Sequence, residues 1–328
     1  KFSLFVIILL AFACYFFSII KIVPLLFVGI FLLRLSGQGL MSHTATTTVS
    51  RYFEKTRGKA LSVSWLGLSA AEFILPVLMV FLLTKISWRD IWIILSFIIL
   101  IMLPILSFLL IKKLKLDSRE NLKKDDVNNR NIKQWTRSEV VKDYRFYIIA
   151  LNMLGMPSFA TGVFVYQSFI ISSKDWGSFI FAQSFMSYSI LSVITLSLSG
   201  FLIDKFTSRK LLIYMNIPLL FAVFVLYTFD SSISSFVFLG LIGITNGFAN
   251  VLGSSTWAEI YGVKYIGGIK AISTSMMVFA TATGAATFGI LIDYGFTINF
   301  ISLISGGYIG FSLILLLFTR KKIEPTYI

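Results

Sequence analysis

Two ionisable side chains lie deep inside apolar stretches of this sequence. Arg34 sits in "LLFVGIFLLRLSGQGL" and Glu72 in "GLSAAEFILP". Charges in such places are costly and usually functional. The flat fork of Arg34 suits the carboxylate of an anionic solute, which it can hold by two parallel N–H bonds. A carboxyl such as Glu72 takes up and releases a proton when its exposure changes. The two can cooperate, because a protonated Glu72 leaves Arg34 free for an anion. The competing reading is a structural Arg34–Glu72 ion pair, since perturbed charges also occur in purely structural networks. Gln38 lies four residues after Arg34 and shares its helix face. His43, nine residues on, is out of phase with that face.

The later part of the chain has no ionised residue at the centre of an apolar run. Its polar candidates are Asn246 with Asn250, Tyr166, Gln167, Gln183, Ser187 and Tyr188. Most such groups make helix–helix hydrogen bonds, worth about 0.6 kcal/mol each. Asn246 and Tyr188 fall nearest the middle of their runs and are the ones expected to reach a solute.

Enzyme chemistry is poorly served. There is no Ser-His-Asp set, no cluster of His, Asp or Glu, and no Gly-rich loop for a nucleotide. One cysteine, Cys14, and one histidine leave no disulfide within the chain and no cysteine-based zinc site. The sequence therefore calls for no catalytic residue, cofactor or metal.

These side chains need elements to position them. Of 328 residues, 57% are hydrophobic and only 13% charged, against about 25% charged in a soluble domain. Apolar runs of membrane-crossing length recur throughout, which implies an all-α polytopic membrane protein. Ten spans are expected, at about 2–20, 23–49, 59–84, 89–111, 146–171, 177–201, 210–229, 234–257, 268–292 and 298–319. Placing the N-terminus in the cytoplasm puts 24 of the 29 Lys and Arg inside and four outside. That asymmetry makes both ends of the chain cytoplasmic. It also accounts for the net charge of +14 without a nucleic-acid partner. Basic residues at the inner headgroup level imply contact with membrane lipids.

The charged turn "GFLIDKFTSRK" at 200–210 then lies on the cytoplasmic side, between two spans. Gly200 would allow a close helix approach, and Asp204 would face a positive helix end. Lys205, Arg209 and Lys210 complete it. Its pattern of Gly200, Leu202, Asp204, Arg209 and Lys210 resembles the cytoplasmic loop of the major facilitator superfamily, roughly G-x-L-a-D-R-x-G-R-R-K. Thr207 replaces the usual Gly there and Ser208 a usual base. "SRYFEKTRGKALS" at 50–62 and "SWRD" at 87–90 resemble two further loops of that superfamily. The order Arg34, "GQG", the Arg-Tyr-Phe loop, Pro76 and Trp88-Arg89 is most similar to the monocarboxylate transporter and oxalate:formate exchanger branch.

The resemblance implies two pseudo-repeated halves and alternating access, with the 200–210 turn as a conformational latch. It also implies that an Arg in the span of Arg34 is functional. An internal echo agrees: "KALS" at 59–62 with "KAIS" at 270–273, and Gln38-Gly39 with Asn246-Gly247. Carried to the charged turn, the same offset places Lys210 on Lys1. The expectation is a chain lacking two leading spans of twelve. Residues 1–111 would be the first half (equivalent to spans 3–6), 112–145 the cytoplasmic loop between halves, 146–319 the second half and 320–328 a cytoplasmic tail. Small residues Ala280, Gly284 and Thr287 would form a packing face, and Pro157 beside Gly155 would bend its span.

The function expected is a secondary transporter of the inner membrane, working as a monomer. Its cargo would be a small organic anion such as a monocarboxylate, with a proton as coupling ion. Export of amphipathic compounds, or carriage of sugars or amino acids, is the alternative within the class. A polytopic enzyme or a non-transporting scaffold is the alternative outside it.

Overall fold

The structure is a computed structural model that describes residues 2–42, 44–45, 48, 57–114, 133–262 and 264–326. His43, the Arg-Tyr-Phe loop at 51–53 and most of the loop between halves lie outside the described residues. Among the described residues, ten helical spans are long and apolar enough to cross a membrane. This is the arrangement demanded by a solvent without hydrogen bonds, where each segment must satisfy its own backbone. The helices are α1 (Phe2–Ile19), α2 (Val23–Leu33), α3 (Arg57–Leu83), α4 (Trp88–Leu114), α5 (Arg137–Lys142), α6 (Tyr144–Val165), α7 (Gln167–Ser173), α8 (Ser178–Phe206), α9 (Ser208–Met215), α10 (Ile217–Thr228), α11 (Ser234–Tyr261), α12 (Ile266–Asp293) and α13 (Ile298–Thr319). Beyond Leu33, α2 continues with π-helical winding over Arg34–Met41.

Two runs expected to be continuous are interrupted. The run at 146–171 breaks at Tyr166, whose backbone leaves the helical region before α7 begins. The run at 210–229 breaks at Asn216. Pro218 accounts for the second break: it has no N–H for the Tyr214 carbonyl and its ring would clash there, so it stands in the first turn of a new helix, α10.

The described residues fall into two compact units, drawn from Lys1–Leu68 with Leu78–Asp125, and from Ser69–Val77 with Asp126–Ile328. In the first unit α1 packs against α4. Ser96 donates to the Ala11 carbonyl at 2.7 Å, and Arg89 Nη2 to the Ile20 carbonyl at 3.1 Å. The Arg89 guanidinium also lies 4.2 Å from the Trp88 ring centre. Ser87 and Asp90 close the start of α4 with reciprocal bonds of 2.7 and 3.2 Å. "SWRD" is therefore a helix start that also ties α4 to α1.

In the second unit α8 lies along α11, and α6 along α12. Both contacts are set by missing side chains. A Cβ on Gly247 would come within 2.6 Å of the Ser192 carbonyl and 2.8 Å of the Leu196 nitrogen, and one on Gly243 would overlap the Tyr188 carbonyl. On α12, Gly284 sits against the Ser158 carbonyl in the same way. Without a hydrophobic driving force between helices in lipid, such close approach is what holds them together. Ala280 and Gly284 are buried in that contact as expected, but Thr287 is exposed and Phe288 takes the buried position. The face repeats at four residues, not three.

Candidate functional site

Glu72 lies in the Ser69–Val77 stretch of α3 that groups with the second unit. Its carboxyl lies beside the hydroxyl of Tyr188 on α8. Its Oε2 is buried with no hydrogen-bond partner. The neighbouring residue of α8 fixes the register, because Ser189 Oγ donates to the Ser69 carbonyl at 2.5 Å. Tyr188 is only 3% exposed. It stands in an aromatic wall with Phe164 at 5.8 Å and Phe185 at 6.2 Å between ring centres. One acid and one phenol thus share an apolar setting with room in their bonding for a further donor. Sequence reasoning named both residues but did not bring them together. Ser69 and Ser189, which set their register, were missed; each sits beside one of the pair.

Asn246, on α11, donates from Nδ2 to Ser192 Oγ on α8 at 3.1 Å. Ser187 Oγ reaches the Phe236 carbonyl at 2.7 Å. These bonds cross the glycine-lined α8–α11 contact on which Tyr188 depends for its position. In the first unit, Arg34 Nη1 donates to Gln38 Oε1 at 2.7 Å, so the two share one face as the i, i+4 spacing requires. Both stand in the π-helical stretch, a winding that recurs at functional positions because it widens the helix and re-aims side chains.

The charged turn has a different construction from the one expected. Gly200 is exposed, and a Cβ there would meet nothing within 4 Å. It supports no close helix approach; Gly243, Gly247 and Gly284 do that work. Asp204 lies in the last turn of α8 instead of at a helix start, and its side chain is outside those described. The carboxylate at the helix start is Glu259, from the end of α11. Its Oε2 accepts the Ser208 backbone N–H at 2.8 Å, the Arg209 N–H at 3.4 Å and the Ser208 hydroxyl. A carboxylate there meets the unpaired N–H groups and the positive end of α9. Arg209 Nε stands 3.2 Å from Glu259 Oε1 and its Nη1 3.2 Å from Glu324 Oε1, ion-pair distances without hydrogen-bond alignment. Lys205 and Lys210 are exposed, Lys205 with its ammonium 5.3 Å from the Phe206 ring centre. Glu259 was missed because nothing local marks it: only the fold carries it to a turn 50 residues away.

Thr207 joins α8 to α9 alone, at φ 71° and ψ 148°. A side chain is strained at that backbone conformation, which glycine adopts freely. The glycine of the resembled loop pattern thus has a physical reason, and this chain has Thr in its place.

Membrane-length helices in two units with glycine-cushioned contacts define a polytopic helical membrane protein. The Major Facilitator Superfamily profile matches residues 1–217, and the chain belongs to that family. It is similar to the crystal structure of a bacterial homologue of the human lysosomal transporter Spinster, in an inward-facing and occupied conformation. The TM-score is 0.58 at 13% identity, over 98% of this chain and 81% of that one. At that identity the likeness carries the fold. No curated protein matches. The chain is an integral membrane protein and a secondary transporter, and its cargo is a small solute.

Proposed function

We propose that the protein carries a small organic anion, such as a monocarboxylate, by alternating access, with a proton as the coupling ion. One observation carries this reading: the Glu72 carboxyl, beside the Tyr188 hydroxyl, has a buried oxygen without a hydrogen-bond partner. An acid so placed can change its protonation when the surroundings open to water, and Tyr188 can follow because a phenol both donates and accepts. Arg34 supplies the charge that an anionic solute requires, and Gln38 holds its fork in one orientation. Loading of the proton on Glu72 and of the anion on Arg34 would then each neutralise one charge within the span, lowering the cost of rearrangement. Asn246, whose Nδ2 bonds Ser192 across the α8–α11 contact, would add a neutral hydrogen bond to the solute. The 200–210 turn, held through Glu259, serves as the conformational latch. The protein acts as a monomer in the cytoplasmic membrane, with both chain ends on the cytoplasmic side and basic loops against lipid headgroups.

The test is counterflow of labelled monocarboxylates into proteoliposomes, with and without an imposed pH gradient. Glu72→Gln should keep exchange of anion for anion but abolish the response to the gradient. Arg34→Lys should reduce uptake, because an ammonium cannot form the two parallel bonds. Uptake indifferent to the gradient in the unmodified protein removes the proton role. Full uptake by Arg34→Lys removes bidentate capture.

A further inference from the structure

Residues 322–326 are built into the second unit as an extended segment lying across several elements. Lys322 turns the chain back by donating to the Thr319 carbonyl at 2.8 Å. Ile323 is 3% exposed and belongs to the apolar cluster of Val140, Trp257, Tyr261 and Leu316. Arg145 Nη1, at the start of α6, donates to the Glu324 carbonyl at 2.7 Å. Lys133, ahead of α5, donates its backbone N–H to the Thr326 carbonyl at 2.7 Å. The Glu324 side chain completes the contact with Arg209 at the start of α9. The segment therefore reads as an extended peptide in a receptor: main-chain bonds along its length and one side chain in an apolar pocket.

The charged groups of the receptor side keep partners without it. Arg145 is paired with Asp143 at 2.8 Å, and Asp143 accepts from the Tyr261 hydroxyl at 3.1 Å. The Trp135 backbone N–H donates to the Tyr261 carbonyl at 3.0 Å. Arg209 has Glu259. Departure of the segment would strand no buried charge, which is the event that makes removal of an ionic partner so destructive. What holds the segment is the burial of Ile323 and Pro325 and the bonds that Arg145 and Lys133 give to its carbonyls, because Glu324 is 61% exposed and its ion pair is correspondingly weak. A prebuilt surface with its charges already paired, gripping a short peptide by two apolar side chains, is the arrangement of a reversible dock.

We propose that this surface is a docking groove for the segment 322–326, a short peptide of aliphatic–acidic–proline pattern. When seated, the segment ties the Lys133–Trp135 stretch to the Thr207–Arg209 turn; when released, it loosens both together. The proposal goes beyond the transport reading, and its readout needs no solute, so loss of that reading would leave it standing.

The test is amide hydrogen exchange on the full chain and on Ile323→Asp, which ejects the anchor. Exchange at 133–136 should rise about tenfold, the loss expected from one freed hydrogen bond, with a smaller rise at 208–211. Exchange across Ile149–Val163 of α6 should not change. A synthetic peptide of residues 319–328, added to the chain shortened after Lys322, should restore protection, and the same peptide carrying Ile323→Asp should not. No rise at 133–136, a rise that spreads into α6, or no rescue by the peptide overturns the docking. A rise confined to 133–136 overturns the coupling to the turn.

Discussion

Thr207→Gly should stabilise this protein, although glycine is the residue that usually weakens a helical junction. Thr207 holds φ 71° and ψ 148°, close to a region that only glycine occupies without cost. Strain of that kind costs about 1–3 kcal/mol. The Thr207 hydroxyl is also buried with no hydrogen-bond partner, which adds a desolvation cost of about 1 kcal/mol. Against this, glycine gives up about 0.5–1 kcal/mol through the greater freedom of the unfolded chain. The net gain is about 1–3.5 kcal/mol. At about 2–4 °C per kcal/mol for a unit of this size, the unfolding midpoint should rise by about 2–14 °C. The assay is thermal unfolding of the purified protein in detergent, followed by tryptophan fluorescence. Thr207→Ala is the control, because it removes the hydroxyl and keeps the strain; its midpoint should fall between the other two. A glycine variant no more stable than the parent, or an alanine variant as stable as the glycine one, refutes the strain argument.

Gly243→Ala should cost about 2–3 kcal/mol or more, since its Cβ would overlap the Tyr188 carbonyl and two helix backbones must separate; Gly200→Ala, facing open space, should be neutral or gain up to about 1 kcal/mol. Equal effects in a thermal melt would remove the close-contact account of α8 and α11. Glu259→Gln should lower stability by about 1–3 kcal/mol, because its carboxylate serves the start of α9 and Arg209 together; faster amide exchange at 208–211 is the local readout. Glu139 is held well below the usual carboxylate range, at about 2, chiefly by the Thr136 backbone N–H and then by Lys133 and the Thr136 hydroxyl. The lowered value means that its contribution to the start of α5 is present above about 4.5 and fades as pH falls from there towards 2. Exchange at 136–140 should quicken, relative to α6, across that window, and Glu139→Gln should abolish the change.

The division between what sequence determined and what tertiary structure decided follows the range of the forces involved. Ten membrane-length helices were legible because a bilayer allows few alternatives to a long apolar helix, and each helix satisfies its backbone alone. The Arg34–Gln38 bond was legible for the same reason, being an i, i+4 contact within one element. Glu72 and Tyr188 were each conspicuous as polar groups in apolar runs, but their meeting depends on register across 116 positions, which no local pattern encodes. Gly200 misled because a glycine in a loop motif looks the same whether or not a backbone lies against it; Gly243 and Gly247 looked ordinary and carry the contact. Asp204 and Glu259 differ likewise: the acid near the turn in sequence is not the one at the start of α9. Even the strain at Thr207 was half visible, as a departure from a glycine pattern, with its backbone angle left for the fold to set. Composition and periodicity fix which segments become helices, because those energies are local. Which polar groups are paired, capped or left with a free oxygen is decided when distant helices pack, and that pairing determines what the site can bind.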